Sequence, residues 1–144
     1  MPSTVLVDTG FLVALFRGDD PYHPSALALM AGRLRHERSR LVTVWPVIVE
    51  TCFFFRPQDR PKFIRWIEGG ALILRTIEPS DLNDIAAIFD RYGDRDMDLA
   101  DACLVWLAGR EKTNRVLTTD RRDFDIYRTP DGKPFERLSV DDRA

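Results

Sequence analysis

Little in this chain supplies a ready-made chemistry. It has two cysteines and two histidines in 144 residues. Neither Cys52 nor Cys103 stands in a C-x-x-C or Cys/His pattern, which argues against zinc centres, and both fall in apolar segments and read as buried free thiols. His23 and His36 sit in a polar helical stretch and read as surface residues. There is no G-x-x-x-x-G-K-[ST] loop for a nucleoside triphosphate, no G-x-G-x-x-G after a strand, and no G-x-S-x-G elbow for a serine hydrolase. Apolar runs are short. None reaches the roughly 18 residues of a membrane helix, and Asp8 and Glu50 interrupt the two best candidates. The opening "MPSTVLVD" lacks a basic leader and a cleavage pattern, so no secretory signal is expected and a cytoplasmic location is. An excess of positive charge is missing too. The net charge of −2 does not announce a nucleic-acid binder. All but three of the 21 basic residues are arginine, whose planar fork suits phosphate, although a GC-rich genome produces the same bias.

What the chain does have is a globular composition, 44% hydrophobic and 31% charged, at a length that suits one domain over residues 1–144. Four short apolar runs, "STVLVD", "RLVTV", "ALILRTIE" and "RVLTTD", read as strands. Between them lie segments with helical spacing and helix punctuation: Pro46 opening "PVIVETCFFF", Gly69-Gly70 closing "RPQDRPKFIRWIEGG", and Gly93 closing "PSDLNDIAAIFDRYG". Strands alternating with helices predict an α/β fold, with a central, mostly parallel sheet of four to five strands flanked by helices. Around "PDG", residues 126–138 read as a C-terminal hairpin. No linker, repeat or low-complexity segment appears.

The acids are the informative residues. Asp8 ends the first strand and Asp120 the fourth, and ligands of open parallel sheets bind beyond such strand ends. Each also suits a cap on the turn or helix that follows. Glu50 is the only charged residue from Leu41 to Phe55, so it is expected to be buried or at the floor of a cleft. There it needs either an arginine partner or a cation. In "MDLADACLVW", Asp98 and Asp101 can be an N-cap and its third residue, or two carboxylates on one helix face at the crevice. Leu99, Cys103, Trp106 and Leu107 are expected to hold that helix inward. If Asp8, Glu50, Asp98, Asp101 and Asp120 converge, their mutual repulsion calls for a hard divalent ion.

The stretches "VLVDTGFLVAL", "PVIVETCF", "MDLADACLVWLA" and "VLTTDRRDF" resemble, in order and spacing over residues 4 to 125, the motifs of PIN-domain nucleases, particularly the small VapC toxins of type II toxin–antitoxin systems. The resemblance implies a Mg²⁺- or Mn²⁺-dependent endoribonuclease. Its acidic quartet carries onto Asp8, Glu50, Asp101 and Asp120, with Asp98 as a fifth member and Thr118 as a hydrogen-bonding support. Asp123 falls at an often acidic position and is given a supporting role, and Phe124 a place in the core. The family often has Ser or Asn two residues after the first Asp, where this chain has Gly10; Thr9 is the nearest hydroxyl along the chain.

The resemblance also implies an RNA substrate, a cognate antitoxin that blocks the site, and a homodimer. "FFFRP" and Trp66 offer material for a partner groove or for the core. Arg33, Arg35, Arg38 and Arg40 offer contacts to RNA phosphates or a solvated helix end. Two other classes stay on the table: a non-catalytic RNA-binding or assembly module with the same fold, and a haloacid-dehalogenase-type phosphatase. The phosphatase needs an Asp where Gly10 stands.

Overall fold

A computed structural model describes residues 3–139. The valine-rich run "TVLV" forms β1 (Thr4–Val7), and Val5, Leu6 and Val7 are fully buried. Residues apolar on both faces belong in the middle of a covered parallel sheet. β2 (Arg40–Val44) pairs with β1 through Leu6↔Val42, and β4 (Arg115–Thr118) pairs on the other side through Leu6↔Val116. β3 (Ile73–Arg75) and β5 (Glu136–Ser139) complete a five-stranded sheet of order β3-β2-β1-β4-β5, with every pairing parallel. The fold class read from the alternation of elements is the one observed.

Helices carry the chain between strands. α1 (Thr9–Phe16), α2 (His23–Ala31) and α3 (Arg33–His36) link β1 to β2. α4 (Trp45–Phe53), with Pro46 in its first turn, and α5 (Arg60–Trp66) lead toward β3. The turn before β3 needs Gly70, whose φ of 95° a side chain would strain. α6 (Leu82–Arg91) and α7 (Leu99–Glu111) precede β4, and α8 (Arg121–Ile126) precedes β5.

α7 explains why "ADACLVWLA" carries so little polarity. Ala100 through Ala108 are all buried, because the helix is wedged among β1, β2, α4 and α6. Cys103, Trp106 and Leu107 face inward as expected. Leu99 does not: it is 54% exposed, since as the first helical residue it projects from the end rather than the packed flank.

Two further expectations are corrected. Residues 126–138 do not form a two-stranded hairpin. A tight turn closes a single antiparallel bridge, Arg128↔Pro134, and Glu136–Ser139 then joins β4 in parallel. The "PDG" signal is local, whereas the sheet edge that captures this segment is not. His23 is half-buried, its ring Nδ1–H donating to the Ala14 carbonyl at 2.7 Å, while His36 is exposed. Cys103 is a buried free thiol and Cys52 a half-buried one.

The topology fixes where a ligand goes. From β1 the chain builds toward β2 and β3, then crosses back to place β4 on the other flank of β1. Strand order therefore reverses between β1 and β4, and open α/β sheets gape beyond the carboxyl ends at such a point. Among the described residues, no helix is long and apolar enough to cross a membrane.

Candidate active site

The aspartates reach the crevice because each follows a strand or stands at the start of a helix, whereas Glu50 projects from within α4. Asp8 follows β1 and N-caps α1. One carboxylate oxygen accepts from the Thr9 N–H at 2.8 Å, the other from the Thr118 hydroxyl at 2.7 Å. That hydroxyl also accepts from the Asp120 N–H at 2.9 Å, so Thr118 ties the ends of β1 and β4 together. Asp120 N-caps α8, accepting from the Asp123 N–H. Asp98 N-caps α7, accepting from the Asp101 N–H at 2.8 Å. Asp101, one turn in, is 9% exposed and accepts from the Tyr127 hydroxyl at 2.9 Å. Capping and convergence turn out to be the same arrangement: the caps are what aim these side chains.

Two overlapping groups result. Asp8, Glu50 and Asp120 line one hollow of about 510 Å³ together with Gly10, Thr119 and Phe54. On its inner side, Asp101, Asp120 and Asp123 each bring a carboxylate oxygen within 4.8 Å of the others. Asp120 belongs to both. Asp98 is outside the three-oxygen group and acts on it through its charge on Asp101.

Burial and crowding disfavour the ionised form of these acids. Burial pushes the Asp8 carboxyl up to about 6, against the hydrogen bonds from Thr118 and Thr9, and the charges of Glu50 and Asp120 add to the rise. Burial pushes Asp101 up to about 8, with Asp8 and Asp98 adding, and only the Tyr127 hydrogen bond opposing. Asp120 is raised as well, by burial first. Among the described residues none of Asp8, Glu50, Asp98, Asp101 and Asp120 has an ion-pair partner; Arg95 stands 2.7 Å from Asp123, and Arg17, which lines the hollow, pairs with Asp19. Oxygen-only donors, crowded and short of positive charge, fit a hard divalent ion.

Other residues fall elsewhere. Thr9 stands at the crevice, but its hydroxyl is buried and has no hydrogen-bond partner. Arg33, Arg35, Arg38 and Arg40 lie on α3, the following turn and the first residue of β2, at the amino end of the sheet and away from the acids. Arg33 pairs there with Glu37 at 3.2 Å. Phe124 is fully buried.

Sequence reasoning did not single out three residues that the geometry puts at the site: Tyr127, Arg95 and Thr119. Tyr127 carries no motif signal; it is fixed by ring contacts with Tyr92 and Phe124 at 5.2 and 5.3 Å. Arg95 sits in the loop between α6 and α7, where one arginine among 18 gives no warning.

This strand-end acid arrangement coincides with a match of the PIN domain family model to residues 5–130. The chain belongs to the PIN domain family. This PIN domain is 28% identical over 135 residues to Ribonuclease VapC26 of Mycobacterium tuberculosis, covering 91% of this chain and 97% of that protein. Its fold matches the crystal structure of M. tuberculosis VapC20, described as a sarcin-ricin loop cleaving toxin. The TM-score is 0.72 at 16% identity, over 82% of this chain and 91% of that one.

Proposed function

We propose that this PIN domain is a divalent-metal-dependent endoribonuclease and the toxin of a VapC-type toxin–antitoxin pair, acting in the cytoplasm. One observation carries the reading: acids from four separate parts of the chain meet at the strand-order reversal with almost no cation among them. The similarity to a VapC ribonuclease along nearly the whole chain supports RNA as the substrate.

In this reading Asp101, Asp120 and Asp123, with Asp8 beside them, would hold a Mg²⁺ or Mn²⁺ ion, and Asp98 and Glu50 would add negative charge around it. The ion would supply Lewis acidity and charge neutralisation at the scissile phosphate. The chain's own contributions are more specific. Thr118 fixes the rotamer of Asp8 and the position of Asp120 at once. Tyr127 holds Asp101. Glu50, half-buried on the wall of the hollow, is placed to take a proton from the attacking water. Thr9 and Gly10, in the first turn of α1, line the same hollow.

The partners follow from the surface. Trp45, Val49 and Phe53 are 53%, 53% and 77% exposed and recur every four residues along α4, and Phe54 beside them borders the hollow. Such a stripe suits an antitoxin helix or a second copy. Phe55 and Trp66 are instead part of the interior, in ring contact with Phe16 and Phe63. Any RNA contact by Arg33, Arg35, Arg38 and Arg40 would belong to a flank of a long substrate, remote from the bond cut.

Asp8→Asn keeps the cap and the shape of the side chain but removes its charge. With RNA and Mn²⁺ it should cleave at least about 10³-fold more slowly than the parent, with unfolding still cooperative. Parental cleavage by that variant contradicts the reading. RNA binding by the parent without cleavage points to the non-catalytic module.

A further inference from the structure

The crevice has a shortage of donors. Carboxylates accept hydrogen bonds when ionised, and so do the non-bridging oxygens of a phosphodiester, so acids alone cannot grip the group they would process. Arg17, at the rim, is already committed: its Nε and one Nη bind Asp19 at 2.9 and 2.6 Å, and the other Nη donates to the Phe54 carbonyl. The Thr9 hydroxyl is buried, and the Thr118 hydroxyl is used by Asp8 and Asp120.

Tyr22 also lines the hollow, beside Asp19, Asp20 and Pro21; Thr119 differs in being next in the chain to Asp120. It lines the same hollow as Asp8, Glu50 and Asp120, and among the described residues its hydroxyl has no hydrogen-bond partner. It also occupies a particular place. A Cβ added to Gly10 would lie 2.0 Å from Thr119 Oγ1, 3.2 Å from its Cβ and 3.6 Å from its Cγ2. The hydroxyl therefore fills the volume that a side chain at position 10 would take, two residues from Asp8 and one from Asp120. Gly10 is required for it to be there.

We propose that Thr119 is a substrate-contacting residue whose hydroxyl donates to a non-bridging oxygen of the RNA phosphodiester, and that Gly10 exists to admit it. The inference rests on the ribonuclease reading above and names the uncharged contact by which that site holds a phosphate. Being neutral, the hydroxyl adds a donor without competing for the cation.

The test uses a short single-stranded oligoribonucleotide with one phosphorothioate at the bond the parent cleaves, as separated Rp and Sp diastereomers, in Mn²⁺. Sulfur accepts hydrogen bonds poorly, while Mn²⁺ tolerates it. For the parent, one diastereomer should be cut about tenfold more slowly than the all-oxygen substrate, the scale of one hydrogen bond to a charged group. Thr119→Val keeps the branched shape and should lower kcat on the all-oxygen RNA about tenfold, with KM changed less than about threefold. Its thio effect should vanish. Thr119→Ser should keep the thio effect, and Gly10→Ala, which evicts the hydroxyl, should behave as Thr119→Val does. Thr119→Val at the parental rate, or slowed but with an undiminished thio effect, overturns the assignment. A parent that binds the oligoribonucleotide but cleaves none of it in Mn²⁺ overturns the ribonuclease reading itself, and this inference falls with it.

Discussion

The two ends of the same sheet treat charge in opposite ways. At the amino end, opposite charges interleave: Arg115 pairs with Glu37 at 3.1 Å and approaches Glu136 at 3.8 Å, and Arg33 meets the same two acids at 3.2 and 4.0 Å. Glu37 is held below its ordinary carboxylate range, by the Arg115 hydrogen bond foremost. At the carboxyl end Asp8 and Asp101 are driven above theirs, and neither has an ion-pair partner among the described residues; Arg95 pairs with Asp123 and Arg17 with Asp19. One end is balanced within the chain. The other is left short of positive charge, a deficit that a bound proton or a cation from outside can make up.

The sharpest way to break this comparison is to make the same substitution at both ends. Asp101→Asn should abolish RNA cleavage, by at least about 10³-fold, yet raise the metal-free melting temperature at pH 8 by about 3 °C or more, because a buried like-charge repulsion is removed. Glu37→Gln should do the reverse, cleaving at the parental rate while melting earlier, since it leaves Arg115 short of a partner. If both variants shift stability in the same direction, the contrast between the ends is wrong.

The pH dependence should separate the ends next. Asp101 and Asp8 sit at about 8 and about 6 in the fold and near about 3.9 when unfolded. The folded state therefore binds protons that the unfolded chain does not. This contribution is fully present below the unfolded value and is lost as pH rises through 6 and then 8. Metal-free protein should melt at progressively lower temperature from pH 5 to pH 8.5, and Asp101→Asn should flatten the upper part of that slope. Glu37 has the opposite sign: its contribution holds above the ordinary carboxylate range and fades in acid. A melting temperature that climbs from pH 5 to 8.5 would count against the raised acids.

The smallest effect is expected at Tyr127. Tyr127→Phe keeps the rings packed and deletes the donor to Asp101. Cleavage should fall about three- to tenfold, the scale of one hydrogen bond, and Mn²⁺ affinity, measured calorimetrically, should weaken in parallel. An unchanged affinity would leave Tyr127 a packing residue only.

Much of this was legible in the sequence for a physical reason. A buried parallel strand is a continuous apolar run, so "TVLV" and "RVLT" declare both their place and the end at which the next acid stands. Helix caps are equally local, which is why Asp98 and Asp101 could be assigned to the start of α7. What escaped was set by contacts between distant segments. Asp123 and Asp120 share the first turn of α8, but their carboxylates meet that of Asp101 only through the tertiary fold. Gly10 stands out in the sequence only as a departure from the family's Ser or Asn, and its contact with Thr119, distant in the chain, cannot be read from either segment alone. The C-terminal segment was misread because a turn signal says nothing about which strand edge stands open beyond it. Leu99 was misplaced because helical periodicity describes the flank of a helix, not its end.

Completion of the sheet's carboxyl end by a cation is what the proposed function requires. The most direct measurement is thermal unfolding of the parent and of Asp101→Asn at pH 8, with and without saturating Mn²⁺. Binding to the folded state alone raises stability by about 2.7 kcal/mol at a hundredfold excess over Kd. The parent should therefore melt several degrees higher with the ion, while Asp101→Asn, already relieved of its repulsion, should shift little. Equal shifts in both proteins, or no shift in the parent, would contradict it.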